Sequence, residues 1–149
     1  MFINGVFTPG KDKNIIKDNT IKEVGIGIRL NDSNDNQVLS NTIISSESWG
    51  ISVSGTAIGK RNVIQGNTID QSGAVGIYVW KEIPFGQRLV HEDLIIKDNS
   101  ITNSNIGIQI QFSLNTVVIG NTLAGNTNNI DDQGTDTVLA GNINGTEVM

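Results

Sequence analysis

Residues 62–79 read Asn-Val-Ile-Gln-Gly-Asn-Thr-Ile-Asp-Gln-Ser-Gly-Ala-Val-Gly-Ile-Tyr-Val. A short apolar run, an Asn-Thr-Ile triplet and a Gly-Ile-x-Val run follow one another, each cut short by Asn, Gly or Ser. The same order recurs along the chain. The triplet returns as Asn19-Thr20-Ile21 and Asn41-Thr42-Ile43 before this stretch, then as Asn99-Ser100-Ile101 and Asn121-Thr122-Leu123, with an echo at Asn142-Ile143. The intervals between these asparagines are 22, 26, 32, 22 and 21 residues. The second run returns as Ile26-Gly27-Ile28-Arg29-Leu30, Trp49-Gly50-Ile51-Ser52-Val53, Ile106-Gly107-Ile108-Gln109-Ile110 and the degenerate Asn128-Asn129-Ile130-Asp131-Asp132. A fixed period of this length marks a stack of supersecondary units.

The apolar runs alternate with period two and are rich in β-branched residues, which makes them strands. Three short strands in about 22 residues leave no room for a helix, so each strand pairs in parallel with its equivalent one unit on. Parallel pairing needs a long crossover, and the remainder of the coil supplies it. The expected fold is all-β: a right-handed, single-stranded parallel β-helix of about six coils. It fills residues 1–149 as one domain, with an Ile/Val/Leu core along its axis.

Composition agrees. The 149 residues include 19 Asn, 23 Ile and 17 Gly but only 2 Pro, and 17% are charged. Ile-rich sequence with a net charge of −5 buries apolar surface and is not a disordered tail. No run approaches 18 apolar residues, which excludes a helical membrane span, and no basic-then-apolar leader opens the sequence. A pI near 4.6 with ten Lys plus Arg disfavours nucleic-acid backbones. Without cysteine there is neither a disulfide framework nor a thiolate site.

The repeated asparagine falls at the turn between the second and third strands of a coil, counting the Gly-Ile strand first. Asn tolerates left-handed backbone, and its amide bonds neighbouring backbone groups. Stacked at about 4.8 Å, Asn19, Asn41, Asn67, Asn99, Asn121 and Asn142 are expected to form a hydrogen-bonded ladder, as Asn does in cross-β stacks.

The pattern apolar-x-Gly-Asn-Thr-Ile followed by Gly-Ile-x-Val, over residues 14–143, resembles the repeats of the pectate-lyase-like superfamily of right-handed parallel β-helices. That group includes pectate lyases, polygalacturonases, the catalytic modules of mannuronan C5-epimerases, phage tailspikes and periplasmic NosD-like proteins. The resemblance implies an extracellular or cell-surface protein with a polysaccharide partner. It specifies the fold better than the activity, because function lives in sites grafted on the scaffold. The epimerase motif on this strand has the form Tyr-Gly-Phe-Asp-Pro-His. The aligned Val75-Gly76-Ile77-Tyr78-Val79-Trp80 has Tyr and Trp in place of the acid and the histidine.

With Ile and Val of the Gly-Ile-x-Val strand pointing inward, the residue between them points outward. This stacks Arg29, Ser52, Tyr78, Gln109 and Asp131 in one exposed column. Asn31, Ser54, Trp80, Gln111 and Gln133 form the next. Arg29, Tyr78, Trp80 and Gln109 are the candidate sugar-binding residues: aromatic faces pack on pyranose rings, and amides and Arg bond hydroxyls. Trp49, one position before its glycine, is expected in the core.

The 32-residue interval contains an insertion, loop 81–93, with the only histidine and several charges. Elimination at a uronic acid needs a base and a group that neutralises the carboxylate; Tyr78, Lys81, Arg88 and His91 are the candidates. Hydrolysis needs two carboxylates flanking the bond, for which Glu82, Glu92 and Asp93 are available. No triad is assembled around the lone histidine. Asp131, Asp132 and Asp136 are candidate Ca²⁺ ligands, although their spacing fits neither an EF-hand nor a nonapeptide roll; no other cofactor is expected.

Six coils make a rod roughly 29 Å long. Open solenoid ends expose strand edges and core unless capped. The sequence reads as part of a longer β-helix, or as one whose ends are covered by a partner or by self-association.

Overall fold

The computed structural model describes residues 4–81 and 90–145. Among them there is no helix: short strands form three parallel sheets, each taking one strand from every coil, in a solenoid of about six turns. The first sheet contains Asn4–Pro9, Ile26–Asn31, Trp49–Ser54, Val75–Val79, Ile106–Leu114 and Asn128–Thr135. The second runs Ile15–Lys17, Gln37–Leu39, Val63–Gln65, Ile95–Lys97, Val117–Ile119 and Val138–Ala140. The third runs Thr20–Lys22, Thr42–Ile44, Thr68–Asp70, Ser100–Thr102, Thr122–Ala124 and Ile143–Gly145. Register is kept from coil to coil, so equivalent repeat positions stand above one another.

Register sorts the side chains into columns. Ile21, Ile43, Ile69, Ile101 and Leu123 stack inside the third sheet, and Ile28, Ile51, Ile77 and Ile108 inside the first. Ile43, Ile51, Ile69, Ile77, Ile101 and Ile108 are all fully buried. Each such side chain stabilises the fold by about 1.5–3 kcal/mol through burial alone.

The turns use left-handed backbone, at the residue before the asparagine. Asp18, Ser40, Gly66, Asp98, Gly120 and Gly141 have φ between 52° and 67°, whereas the ladder asparagines that follow them do not. The expected left-handed role of the asparagines is corrected accordingly: the preceding residue turns the chain, and the asparagine then points inward. The other corners repeat the device at Lys13, Asp35, Arg61, Asp93, Asn115 and Asp136, and at Glu23, Ser45, Gln71, Asn103 and Gly125.

Along the inside of the turn the asparagine amides bond from coil to coil. The backbone N–H and Nδ2 of Asn19, Asn41, Asn67, Asn99 and Asn121 each donate to Oδ1 of the next asparagine, at 2.9–3.1 Å. The second Nδ2 proton goes back one coil, from Asn67 to the Val38 carbonyl at 2.9 Å and from Asn99 to that of Ile64 at 3.0 Å. Each internal amide thereby ties three coils together and satisfies backbone groups that would otherwise be buried unpaired. A second ladder, Asn14 to Asn36 to Asn62, lines the neighbouring corner. It stops where Leu94 and then Thr116 occupy that position, both buried.

The glycine of each Gly-Ile strand has a packing reason. A Cβ on Gly50 would lie 2.6 Å from the Gly76 carbonyl oxygen and 2.6 Å from a methyl of Ile69; on Gly76 it would lie 2.7 Å from the Gly107 carbonyl. The missing Cβ therefore faces the core. Glycine and the isoleucine after it both point inward, which breaks the strict alternation of the strand.

Candidate functional site

That break relocates Trp49. Alternation continued backwards through Gly50 places the indole inside; the inward glycine shifts the phase by one, and the indole lies outside. It packs against Tyr78 and Trp80, with ring centroids 5.2 and 5.5 Å away. Tyr78 and Trp80, two residues apart on one strand, stack at 5.8 Å with 14° between their planes. The core expectation for Trp49 is corrected: three aromatic rings cluster on the outer face of the first sheet.

The outward column is present in register, Phe7, Arg29, Ser52, Tyr78, Gln109 and Asp131 lying opposite one another. Its members differ in access. Ser52 and Ser54 are fully buried, so their expected exposure is corrected. Larger neighbours engage them: the Trp80 Nε1–H donates to the Ser52 hydroxyl at 3.3 Å, and Arg29 Nε–H to that of Ser54 at 2.9 Å. Arg29 also donates to Asn31 Oδ1 at 3.1 Å and lies over the Phe7 ring at 5.6 Å. Tyr78 donates its hydroxyl proton to Gln111 Oε1 at 2.9 Å, and Gln109 donates to Asp131 at 2.7 Å. The face is thus a central aromatic cluster between a fixed guanidinium on one side and an amide–carboxylate pair on the other.

Two of the candidates for proton chemistry, His91 and Lys81, are packed away. His91 is fully buried, its Nδ1 accepting the Gly59 N–H at 3.0 Å and its Nε2 lying 2.8 Å from the Trp80 carbonyl. The imidazole therefore carries its proton on Nε2 and uses both nitrogens. Burial pushes its pKa below the usual value, with Lys81 nearby opposing a second charge. Lys81 is 3% exposed, and its ammonium has no hydrogen-bond partner among the described residues; burial lowers its pKa against the pull of Asp32. Asp32 itself is occupied, accepting from the Ala57 N–H at 2.6 Å and the Asn31 amide at 2.8 Å. Burial first, and then the charge of Asp131, push the Tyr78 phenol up, away from the range of a base at neutral pH.

Loop 81–93 is shorter than its sequence interval. His91–Glu92 rejoins the first sheet beside Ser113–Leu114, Glu92 forms a bridge with Lys60, and the two side chains pair at 2.7 Å. Arg88 and Glu82 lie outside the described residues. The proposed Ca²⁺ ligands do not converge. Asp131 accepts from Gln109 and Gln133, Asp132 Oδ1 from the Gly134 N–H and the Thr137 hydroxyl, and Asp136 turns a corner. Among the described residues no three acidic, histidine or cysteine side chains gather.

Sequence reasoning missed Trp49 and the second ladder. The ladder had a signal, since Asn14, Asn36 and Asn62 all occupy the position two residues before the inward residue of the second-sheet strand. Trp49 had only its proximity to a glycine.

Fold and face together define a parallel β-helix repeat protein with one distinctive outer sheet surface. The family model described as periplasmic copper-binding protein (NosD) matches residues 2–147, and the chain belongs to that family. No curated protein matches it. Copper, named in the family description, takes imidazole and soft sulfur ligands. This chain has no cysteine, one histidine with both nitrogens engaged, and methionine only at positions 1 and 149. The described donor set does not fit a copper centre.

Proposed function

We propose that the outer face of the first sheet recognises a polysaccharide outside the cytoplasm, without turning it over at this face. The observation that carries the reading is the gathering of Trp49, Tyr78 and Trp80 beside Arg29 and Gln109. Tyr78 and Trp80 each cover one face of the other, so a pyranose ring has their outer faces and edges, and Trp49, to pack on. Amides and the guanidinium next to them supply hydroxyl partners. Recognition is preferred to processing because His91 and Lys81 are buried and no acid–histidine pair stands on the strand. The family's periplasmic description supports a location outside the cytoplasm.

A glycan array containing uronic-acid and neutral oligomers tests the reading, with Trp80→Ala and Trp49→Ala run beside the parent. Binding by the parent that falls at least tenfold in both variants, with unchanged circular dichroism, supports it. Silence of a folded parent across the array rejects it.

The burial of His91 and Lys81 equally favours a second reading, a non-catalytic scaffold or assembly segment. In that reading the exposed Leu139 side chain, on the inward column of the last described coil, seats against a neighbouring coil of the same or another chain. Mass that rises with concentration in light scattering distinguishes it.

A further inference from the structure

We propose that this chain has no copper centre of its own. Three features of the molecule carry the inference. The first is the donor inventory. Copper sites draw on thiolate, thioether and imidazole, and the 149 residues offer no cysteine, a single histidine and methionines only at positions 1 and 149.

The second is the state of that histidine. His91 is fully buried, with one ring nitrogen accepting from Gly59 and the other donating to the Trp80 carbonyl. A metal on either nitrogen breaks one of these bonds and strands a buried N–H or C=O, which opposes binding. The strand and the turn are also close-packed there: a Cβ added to Gly59 would stand 3.0 Å from His91 Nδ1. Among the described residues, the charges that act on it are Lys81, a cation that opposes a second positive charge, and Asp32, whose two oxygens already accept from Ala57 and Asn31.

The third is the distribution of carboxylates. Asp35 is held by Arg61 at 2.7 and 2.9 Å, Glu92 by Lys60, Asp131 by Gln109, and Asp132 by Gly134 and Thr137. Asp35, Glu92 and Asp131 each tie their coil to an adjacent one, Asp132 bonds within its own, and among the described residues no three acidic, histidine or cysteine side chains gather.

The test uses the purified full chain. Cu(I) is titrated against a chromophoric chelator under anaerobic conditions, Cu(II) is followed by quenching of Trp49 and Trp80 fluorescence, and metal retained after gel filtration is measured by mass spectrometry. The expected result is substoichiometric retention, no competition with the chelator and an unchanged melting temperature, because a ligand that binds the native state raises stability in proportion to RT ln(1 + [L]/Kd). One copper retained per chain in competition with the chelator overturns the proposal. If His91→Gln then abolishes retention, the buried imidazole is the ligand. If only substitution of Met1 and Met149 does so, the thioethers are. Glycan binding is indifferent to either outcome, so failure here leaves the sugar-recognition reading standing.

Discussion

The middle coils and the last coil share one repeat and treat its inward positions differently. In the first sheet, Val53, Val79 and Ile110 are buried in one column, and the next residue in register is Asp132, exposed. In the third sheet, Ile69, Ile101 and Leu123 are followed by Asn144, also exposed. In the second, buried Val118 is followed by Leu139, which is 48% exposed. A residue facing the axis is thus buried by the coils on both sides of it. In a solenoid stability is close to a sum of nearest-neighbour terms, and the last described coil, like the first, has one neighbour where the middle coils have two. A polar group is tolerated there because water reaches it. In a middle coil the same group would cost a few kcal/mol unless bonded.

Cavity formation should expose the contrast most strongly. Ile69→Ala is expected to destabilise by about 3–5 kcal/mol, since closely packed neighbours above and below restrict collapse, whereas Leu139→Ala should stay within about 1 kcal/mol. Denaturant midpoints of the two variants check this; equal losses would show that the coils are not independent layers. The ladder sharpens the comparison. Asn67→Ala removes an amide that donates to Asn99 and Val38 and accepts from Asn41. It leaves buried backbone groups unpaired and should cost about 2–3 kcal/mol. Asn142→Ala removes two bonds from Asn121 and one to the Val118 carbonyl, but at this half-buried last described rung water can replace them, and the cost should be about 1 kcal/mol. Hydrogen exchange at the flanking amides locates the loss.

The smallest effect expected is a pH dependence from the middle of the rod. His91 is held neutral by burial, with its pKa lowered from 6.5, so the unfolded chain binds a proton that the folded chain refuses. Stability should fall as pH drops from 6.5 toward the folded-state value, and level off below it. His91→Gln should flatten that slope while lowering stability at pH 8 by loss of its two buried bonds. A slope unchanged by the substitution would assign the pH dependence to carboxylates instead.

Much of the fold was legible because a solenoid repeats its instructions. Asn41, Asn67, Asn99 and Asn121 recur in phase with apolar pairs, and a period shared by so many copies fixes strand order, parallel pairing and coil number at once. The face was legible in part. Tyr78 and Trp80 were placed outside by alternation counted from Ile77 and Val79, which is local and held. Trp49 was misplaced because the count passed through Gly50, whose inward position depends on how closely the Gly76 carbonyl approaches from the next coil.

Sequence alone therefore determined what depends on periodicity: the β-solenoid, its six coils, the Ile/Val/Leu axis and the recurring asparagine column. Tertiary structure decided what depends on contact between non-equivalent positions. It turned the chain at Asp18 and Asp98 rather than at the asparagines beside them. It covered Ser52 and Ser54 with Trp80 and Arg29, and engaged both His91 nitrogens with Gly59 and Trp80. The physical reason is that a period specifies which residues share a column. Burial, tautomer and ring stacking depend on side chains from different columns competing for the same volume, and that competition is resolved only when the coils stack.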